Sequence, residues 1–371
     1  MADEFNARMV TLARESEGLT QSALAHLAGI SQSQISKIEN GFEEPHRDVL
    51  EQLAKACEVP VDFFFQREEV LGEGFVDFYH KKRLTLPVKP LKKANALANV
   101  RRLEAVRLLR TLEFDSAAPF PFCPTDQSWD PESAAQFVRA TWRIPPGPLP
   151  NLVALIEATG IPVFVTDLGH EKLSAVSMPG MAGRHVIVLN GMLPASARRF
   201  ALAHELGHLV MHNGSASDDM ERDADAFASA LLMPAQDIRP DLRGLRFREL
   251  GSLKAKWRVS LAALIKRAGD LGTITERQYR TFYIQLSKLP GGRKNEPGEF
   301  DPEEPRLMRY LIEHYLNNLK YSREEVARLM VLNEHKLAEV YFGEAPRKLR
   351  DMEPKRHLHS VSMPSADARL W

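Results

Sequence analysis

The sequence predicts a multidomain, mainly α-helical protein: a five-helix N-terminal module, an α+β domain with a small sheet, and a C-terminal helical region. Three observations support this fold class. Apolar residues recur with helical periodicity from Arg8 to Phe65 and again beyond Pro234. Alternating β-branched runs lie between residues 161 and 189, and proline clusters interrupt the chain. The expected divisions are 1–66, 67–130, 131–240 and 241–350, followed by a loose tail at 351–371.

Composition limits the class of protein. Lys plus Arg and Asp plus Glu number 49 each, so any basic surface that binds a partner must be local. The two cysteines, Cys57 and Cys123, lie far apart in sequence, which favours a reducing cytoplasm over disulfide bonding. We find no signal peptide and no apolar stretch long enough to cross a bilayer. The sequence therefore predicts a cytoplasmic protein with no membrane partner.

The N-terminal module contains a helix, a glycine turn and a second helix between Leu19 and Gly41. Thr20 and Ser31 are the expected N-caps, and Gly29 makes the turn. The inner face is expected to consist of the apolar residues Leu24, Ala25, Leu27, Ile30, Ile35 and Ile38.

This segment resembles the lambda-repressor-like XRE family of helix-turn-helix regulators. The resemblance implies a homodimer that reads paired half-sites of a double-stranded DNA operator. It places the second helix in the major groove, where the exposed residues are Gln32, Ser33, Gln34, Ser36 and Lys37. Gln21, at the start of the preceding helix, is expected to hold a phosphate. A helical module used only for protein contacts is the alternative.

Charge argues against strong DNA binding by this module alone. Residues 1–65 contain five Lys or Arg and eleven Asp or Glu. By contrast, residues 80–110, within the predicted basic helical linker 67–130, contain ten Lys or Arg and one acid, Glu104. That stretch could supply phosphate contacts, or its basic face could dock on the acidic module.

The pentapeptide His204-Glu205-Leu206-Gly207-His208 points to metal chemistry. A β-branched run, Arg184 to Leu189, and an Asn-Gly turn precede an apolar helical run from Pro194 to His212. On that helix, His204 and His208 share one face and can bind one zinc ion, while Glu205 can act as the general base. A buried helix with two satisfied histidines is the alternative.

A catalytic zinc needs a third protein ligand. Glu221 and Asp225 are four residues apart on the next predicted helix, so Glu221 can bind the metal while Asp225 orients a ligating histidine. Asp223 is the competing ligand, although it lies on another face. His212 is too far along the helix from His204 to share the ion, and is expected behind the ligands or at the surface. His185, His212 and Tyr279 are candidates for steadying the oxyanion.

Together, these residues and the Phe227-Ala228 to Met233-Pro234 run resemble the ImmA/IrrE family of bacterial and phage metallopeptidases. The resemblance implies a zincin-like, gluzincin-type domain with one zinc per chain. It also implies endopeptidase activity, with repressor proteins among the substrates. Under it, His204 and His208 bind the metal, Glu205 is catalytic, and Glu221 is the acidic ligand.

The rest of the chain is predicted as three strands beneath the active-site helix, near 161–166, 173–177 and 184–189, and then helices beyond Pro234. Residues 290–305 are predicted to form a linker. Ser322 is expected to start a helix with a capping box, within either a helical hairpin or a degenerate helix-turn-helix.

Three functions remain open. The chain could be a DNA-binding regulator that hydrolyses a repressor or itself, a DNA-binding factor whose zinc domain only senses or scaffolds, or a general protease with a helical accessory module. The first is preferred because both histidines, the base and a third-ligand candidate are all present.

Overall fold

The structure is a computed structural model that describes residues 4–71, 87–110, 118–124, 129–179, 185–212, 219–292 and 295–344. The predicted fold class is confirmed: a helical N-terminal module is followed by a domain with a small sheet and then by further helices. Within these residues, no helix combines the length and apolarity needed to span a bilayer.

Four α-helices and a 3-10 helix form the N-terminal module. They are α1 (Ala7–Ser16), α2 (Gln21–Ala28), α3 (Gln32–Glu39), α4 (Arg47–Ala56) and the 3-10 helix Val61–Phe65. Thr20 and Ser31 cap α2 and α3 as predicted, and Gly29 ends α2 with a φ of +68°. Leu27 was expected inside but is 60% exposed. On α2 it lies about 60° outside the arc formed by Leu24, Ala25 and Ala28.

The long helix α5 (Val88–Arg110) is buried on several sides. Ala96 and Leu103 join the apolar core of the N-terminal module. Ala98 and Leu108 join a second core, which contains one face of the sheet. The buried residues of α5 include Asn99, Arg102, Glu104 and Arg107 as well as apolar side chains, because the helix packs between the N-terminal module and the sheet.

Several basic residues of α5 contact the N-terminal module or the segment after it. Lys92 Nζ lies 3.6 Å from Glu15, and Arg107 Nε lies 3.1 Å from Glu68. Arg102 donates to the backbone carbonyl of Glu69. These contacts favour docking over phosphate binding for these side chains. Lys81, Lys82 and Arg83 of the same basic stretch lie outside the described residues.

The sheet has three strands, β1 (Val163–Thr166), β2 (Ala175–Pro179) and β3 (His185–Asn190), in the order β1-β3-β2. β1 runs parallel to β3, and β2 runs antiparallel to it. The second strand starts two residues later than predicted. Both faces are covered, which explains why the strands are apolar at nearly every position. One face packs with the core around the helix Ala195–Met211, and the other with α5 and the C-terminal helices.

The remaining helices surround this sheet. They are α6 (Pro131–Thr141), α7 (Leu152–Ala158), α8 (Ala195–Met211), α9 (Met220–Leu232), α10 (Ala235–Leu242), α11 (Leu250–Trp257), α12 (Leu261–Asp270), α13 (Glu276–Ser287), α14 (Leu307–Asn317), α15 (Arg323–Met330) and α16 (Glu334–Phe342). The predicted capping box of Ser322 and Glu325 starts α15. Val331, in the left-handed conformation, then separates α15 from α16.

Residues 295–306 form an irregular strap, and three of its four glutamates bind the N-termini of three helices. Glu296 accepts hydrogen bonds from the backbone N–H groups of Leu261 and Ala262, at the start of α12. Glu299 accepts hydrogen bonds from the backbone N–H and the hydroxyl of Ser196, at the start of α8. Glu303 binds α7 in the same way, through the N–H groups of residues 152 and 153. Carboxylates stabilise helix N-termini because unpaired N–H groups and the positive dipole end lie there. The predicted linker is therefore an anchored part of the domain.

Candidate metal centre

Helix α8 brings the two histidines together. β3 ends at Asn190, a turn follows, and α8 then runs to Met211 as one continuous helix. The Nε2 atoms of His204 and His208 are 3.0 Å apart, so both point at one location. His208 is fully buried, whereas His204 is partly exposed.

Gly207 allows α9 to approach this part of α8. A Cβ atom at this position would lie 3.0 Å from Phe227 Cδ1 and 3.2 Å from the backbone of Ala224. A larger side chain would push α9 away. The close approach brings Glu221 to the histidines: its Oε1 lies 3.4 Å from His208 Nε2, and its Oε2 lies 3.7 Å from His204 Nε2.

These donors suit a zinc ion. One ligand atom each from His204, His208 and Glu221 lies within 4.8 Å of the others. Two imidazole nitrogens and one carboxylate oxygen are a ligand set of catalytic zinc, whose fourth position takes water. The cluster contains Glu221 and not the competing candidate Asp223. This donor set therefore fits the zinc ion that the resemblance to the ImmA/IrrE family implies.

Asp225 contacts the outer nitrogen of one histidine. Its Oδ1 lies 2.9 Å from His204 Nδ1, which fixes the proton on that nitrogen and leaves Nε2 with a lone pair. Burial opposes protonation of His204, but the hydrogen bond to Asp225 and the charges of Glu205 and Glu221 outweigh it and raise the pKa of His204.

Glu205 points to the sheet. The residue is 2% exposed, and its Oε2 accepts a hydrogen bond of 2.7 Å from Ser177 Oγ. Ser177 pairs with Ile187 in the antiparallel register, and both side chains face α8. The sequence reading missed Ser177. A polar residue at an inward position of an apolar strand was the available signal.

The oxyanion candidates lie in different places. His212 is buried, with its Nδ1 3.1 Å from His208 Nδ1, and burial together with the nearby histidines lowers the pKa of His212 to about 4. His185 begins β3, where burial lowers its pKa. Tyr279 packs against Tyr283 and Gly269 among the C-terminal helices. None of these contacts assigns an oxyanion donor.

The predicted DNA-contact residues occupy the outer side of α3. Gln32, Ser33 and Lys37 are exposed, whereas Gln34 and Ser36 are partly buried. Gln34 donates to Glu43, and Asn40 donates to the backbone carbonyl of Ser36. Gln21 Oε1 accepts a hydrogen bond of 2.9 Å from Gln32 Nε2, and Gln21 Nε2 donates one of 2.8 Å to Glu39 Oε2. These two hydrogen bonds join α2 to α3.

Two regions of the chain match known protein families. Residues 11–64 match the family described as helix-turn-helix, which is of the XRE type. Residues 156–268 match the peptidase M78 family, described as the IrrE N-terminal-like domain. The predicted fusion of these two domains is confirmed. Comparisons with curated proteins and with solved structures found no match.

The IrrE-like match covers β1 to β3 and α8 to α12, and so includes both histidines, Glu205 and the acidic helix α9. Helix α5, the strap and α14 to α16 lie outside both matched ranges. These outer elements nevertheless pack on the sheet and on the N-termini of α7, α8 and α12.

Proposed function

We propose that this chain is a DNA-binding transcriptional regulator that carries a zinc-dependent endopeptidase site. Its substrate would be a repressor-type protein or the chain itself, in a stress, phage or mobile-element response. The observation that carries the proposal is the convergence of His204, His208 and Glu221 beside the buried carboxylate of Glu205. The helix-turn-helix and peptidase family matches support the two halves of the proposal separately.

In this mechanism, His204, His208 and Glu221 hold one zinc per chain. When bound, zinc supplies a Lewis acid that activates water and polarises the scissile carbonyl. Glu205 accepts a proton from the attacking water and delivers it to the leaving amine. Ser177 orients the Glu205 carboxylate through its hydrogen bond, and Asp225 keeps His204 in the tautomer that can bind metal.

The neighbouring acids of α9 provide a matched test of the metal site. We expect Glu221→Ala and His204→Ala to reduce bound zinc from about one per chain to near none, because each removes one of three ligands. Asp223→Ala should keep its zinc, since Asp223 lies outside the donor cluster. Elemental analysis after dialysis measures this. Equal zinc in Glu221→Ala and the wild type would contradict the ligand assignment.

A cleavage assay separates the enzyme from its main alternative, a transcription factor with a non-catalytic zinc sensor. The 2.7 Å hydrogen bond from Ser177, which directs one oxygen of Glu205 towards the sheet, is the observation that favours that alternative. The zinc-loaded full chain should cleave itself or a helix-turn-helix repressor encoded beside it. Bound zinc without cleavage of any such protein would favour the sensor.

DNA binding is proposed for a homodimer on paired half-sites, through the outer face of α3. We expect Gln32→Ala to cost about 1–3 kcal/mol on the operator only, because glutamine reads base edges. Lys37→Ala should weaken binding to all DNA and reduce the salt slope by about 1. Lys55→Ala, an exposed lysine on α4, is the control.

Fluorescence anisotropy with DNA from upstream of the coding sequence, repeated at several salt concentrations, measures both effects. We expect a shallow salt dependence, because the module is acidic and Lys92, Arg102 and Arg107 of the basic helix are engaged within the chain. Equal loss for Gln32→Ala on operator and unrelated DNA would contradict base reading. Failure to bind any such DNA would favour a general protease.

A further inference from the structure

His208 uses its two ring nitrogens for two different contacts. Nε2 lies 3.0 Å from His204 Nε2 and 3.4 Å from Glu221, at the metal centre. Nδ1 lies 3.1 Å from Nδ1 of His212, the residue that ends α8. His212 is 2% exposed, so this contact is shielded from water.

The contact between His208 and His212 restricts where the protons lie. Two ring nitrogens that face each other form a hydrogen bond only when one of them carries a proton. A metal on Nε2 of His208 takes the lone pair of that atom, so the neutral ring carries its proton on Nδ1. His208 then donates, and His212 must accept with Nδ1 and carry its own proton on Nε2.

We propose that His212 is a positioning residue of the zinc site, which accepts the Nδ1 proton of His208 and so keeps His208 Nε2 directed at the metal. This inference rests on the proposed function, because it requires zinc on His208. Asp225 has the equivalent place behind His204, at 2.9 Å. Each histidine ligand therefore has one acceptor behind it, and the two acceptors come from different parts of the chain.

A role in fold stability alone does not account for His212. Its Nε2 atom is buried and has no hydrogen-bond partner among the described residues. A buried polar atom without a partner is unfavourable, so an apolar side chain of similar volume would suit a purely structural position better. The imidazole of His212 makes the contact with His208, and a leucine side chain at this position could not make it.

The same geometry predicts a tautomer change on metal loading. When His204 is neutral in the metal-free chain, its proton faces Asp225, and the 3.0 Å contact between the Nε2 atoms is then a hydrogen bond donated by His208 Nε2. His208 Nδ1 then accepts from His212 Nδ1. Zinc binding moves the proton of His208 from Nε2 to Nδ1, and that of His212 from Nδ1 to Nε2.

The test compares His212→Leu with His212→Asn in the full chain, using zinc as the probe in competition with a chelator of known affinity. His212→Leu removes the acceptor and should weaken zinc binding by about 10–100-fold. His212→Asn places an amide oxygen near the former Nδ1 and should recover most of that loss. Unchanged affinity in His212→Leu, or an Asn variant as weak as the Leu variant, would overturn the inference.

Two further readouts separate positioning from structure. In the presence of chelator, His212→Leu should unfold at or above the wild-type temperature, while its stabilisation by zinc should be smaller. A metal-free destabilisation large enough to explain the affinity loss would indicate a structural role instead. In nitrogen-15 spectra of the zinc-loaded wild type, His212 should carry its proton on Nε2. A proton on Nδ1 would overturn the inference.

Zinc binding by the wild-type chain separates a failure of the role of His212 from a failure of the proposed function. A wild-type chain that binds no zinc would remove both. If the wild-type chain binds zinc and His212→Leu binds it with the same affinity, only the role of His212 is removed.

Discussion

Glu205→Gln is expected to slow peptide-bond hydrolysis by about 10²–10⁴-fold, the usual contribution of a general base, while one zinc remains bound per chain. Zinc should remain because Glu205 is outside the donor cluster of His204, His208 and Glu221. The fold should also remain, because glutamine is nearly isosteric and its amide oxygen can still accept from Ser177. The substitution removes the ability to take a proton and leaves most other features of the site intact.

Rates on the repressor substrate and zinc content should be measured on the same preparations. Asp223→Asn is the matched control, since it also neutralises one acid near the site but removes neither a ligand nor the base. We expect near wild-type rates for this control. Cleavage by Glu205→Gln at the wild-type rate would rule out the proposed base, even if zinc were present.

The order of elements could be predicted because it depends on local patterns. Helical periodicity, the Asn190-Gly191 turn and the caps at Thr20, Ser31 and Ser322 involve residues close in sequence, and each is found as predicted. The spacing of His204 and His208 is also a local pattern, because a single helix fixes the distance between them. Element bounds differ by a few residues, since helix and strand ends depend on tertiary contacts.

The choice between Glu221 and Asp223 as the candidate third ligand could not be made from the sequence. Glu221 and Asp223 are two residues apart, and helical spacing alone places them on different faces without saying which face meets α8. The contact of Gly207 with Ala224 and Phe227 selects the face. That contact joins two helices, so no pattern within either helix determines it.

Hydrogen bonds between residues far apart in the sequence could not be predicted either. Ser177 is 28 residues from Glu205, and the strap glutamates are 34 to 151 residues from the N–H groups that they accept. Composition rich in Gly, Pro and Glu correctly indicated that the described residues of this segment, 290–292 and 295–305, lack regular structure. It could not show that the same acids bind helix N-termini, because which N–H groups lie nearby is a property of the fold.

The structure also favours one of two readings of the basic stretch. Charge counts could not distinguish phosphate contacts from intramolecular docking. The burial of Ala96 and Leu103 in the N-terminal core, together with the pairs formed by Lys92 and Arg107, favours docking for the described part. DNA affinity would then depend mainly on α3.

Lys254→Met is expected to lower the free energy of unfolding by about 3–5 kcal/mol, the usual cost of removing one partner of a buried ion pair. Lys254 Nζ is fully buried and lies between two strap carboxylates, 3.2 Å from Glu296. Methionine fills a similar volume but leaves both acids without their cation. Burial opposes ionisation of Glu299, and the bonds to Lys254 and Ser196 nevertheless hold its pKa below the ordinary value.

Urea denaturation at neutral pH measures the effect, and Lys256→Met is its control. Lys256 is two residues away on the same helix and pairs with Asp241 at 2.7 Å, but its side chain is 50% exposed. Exposed pairs contribute little, so this variant should change stability by no more than about 1 kcal/mol. Because the folded-state pKa of Glu299 is lowered, its contribution is present at neutral pH and is lost as the pH falls through that pKa.

The loss in Lys254→Met should extend to the metal centre, because Glu299 also binds the N-terminus of α8, the helix that carries both histidines. Weakening the strap therefore loosens the start of the metal-binding helix. We expect zinc to dissociate from Lys254→Met at a lower urea concentration than from Lys256→Met. Equal stability of the two variants would show that the strap does not depend on its buried lysine.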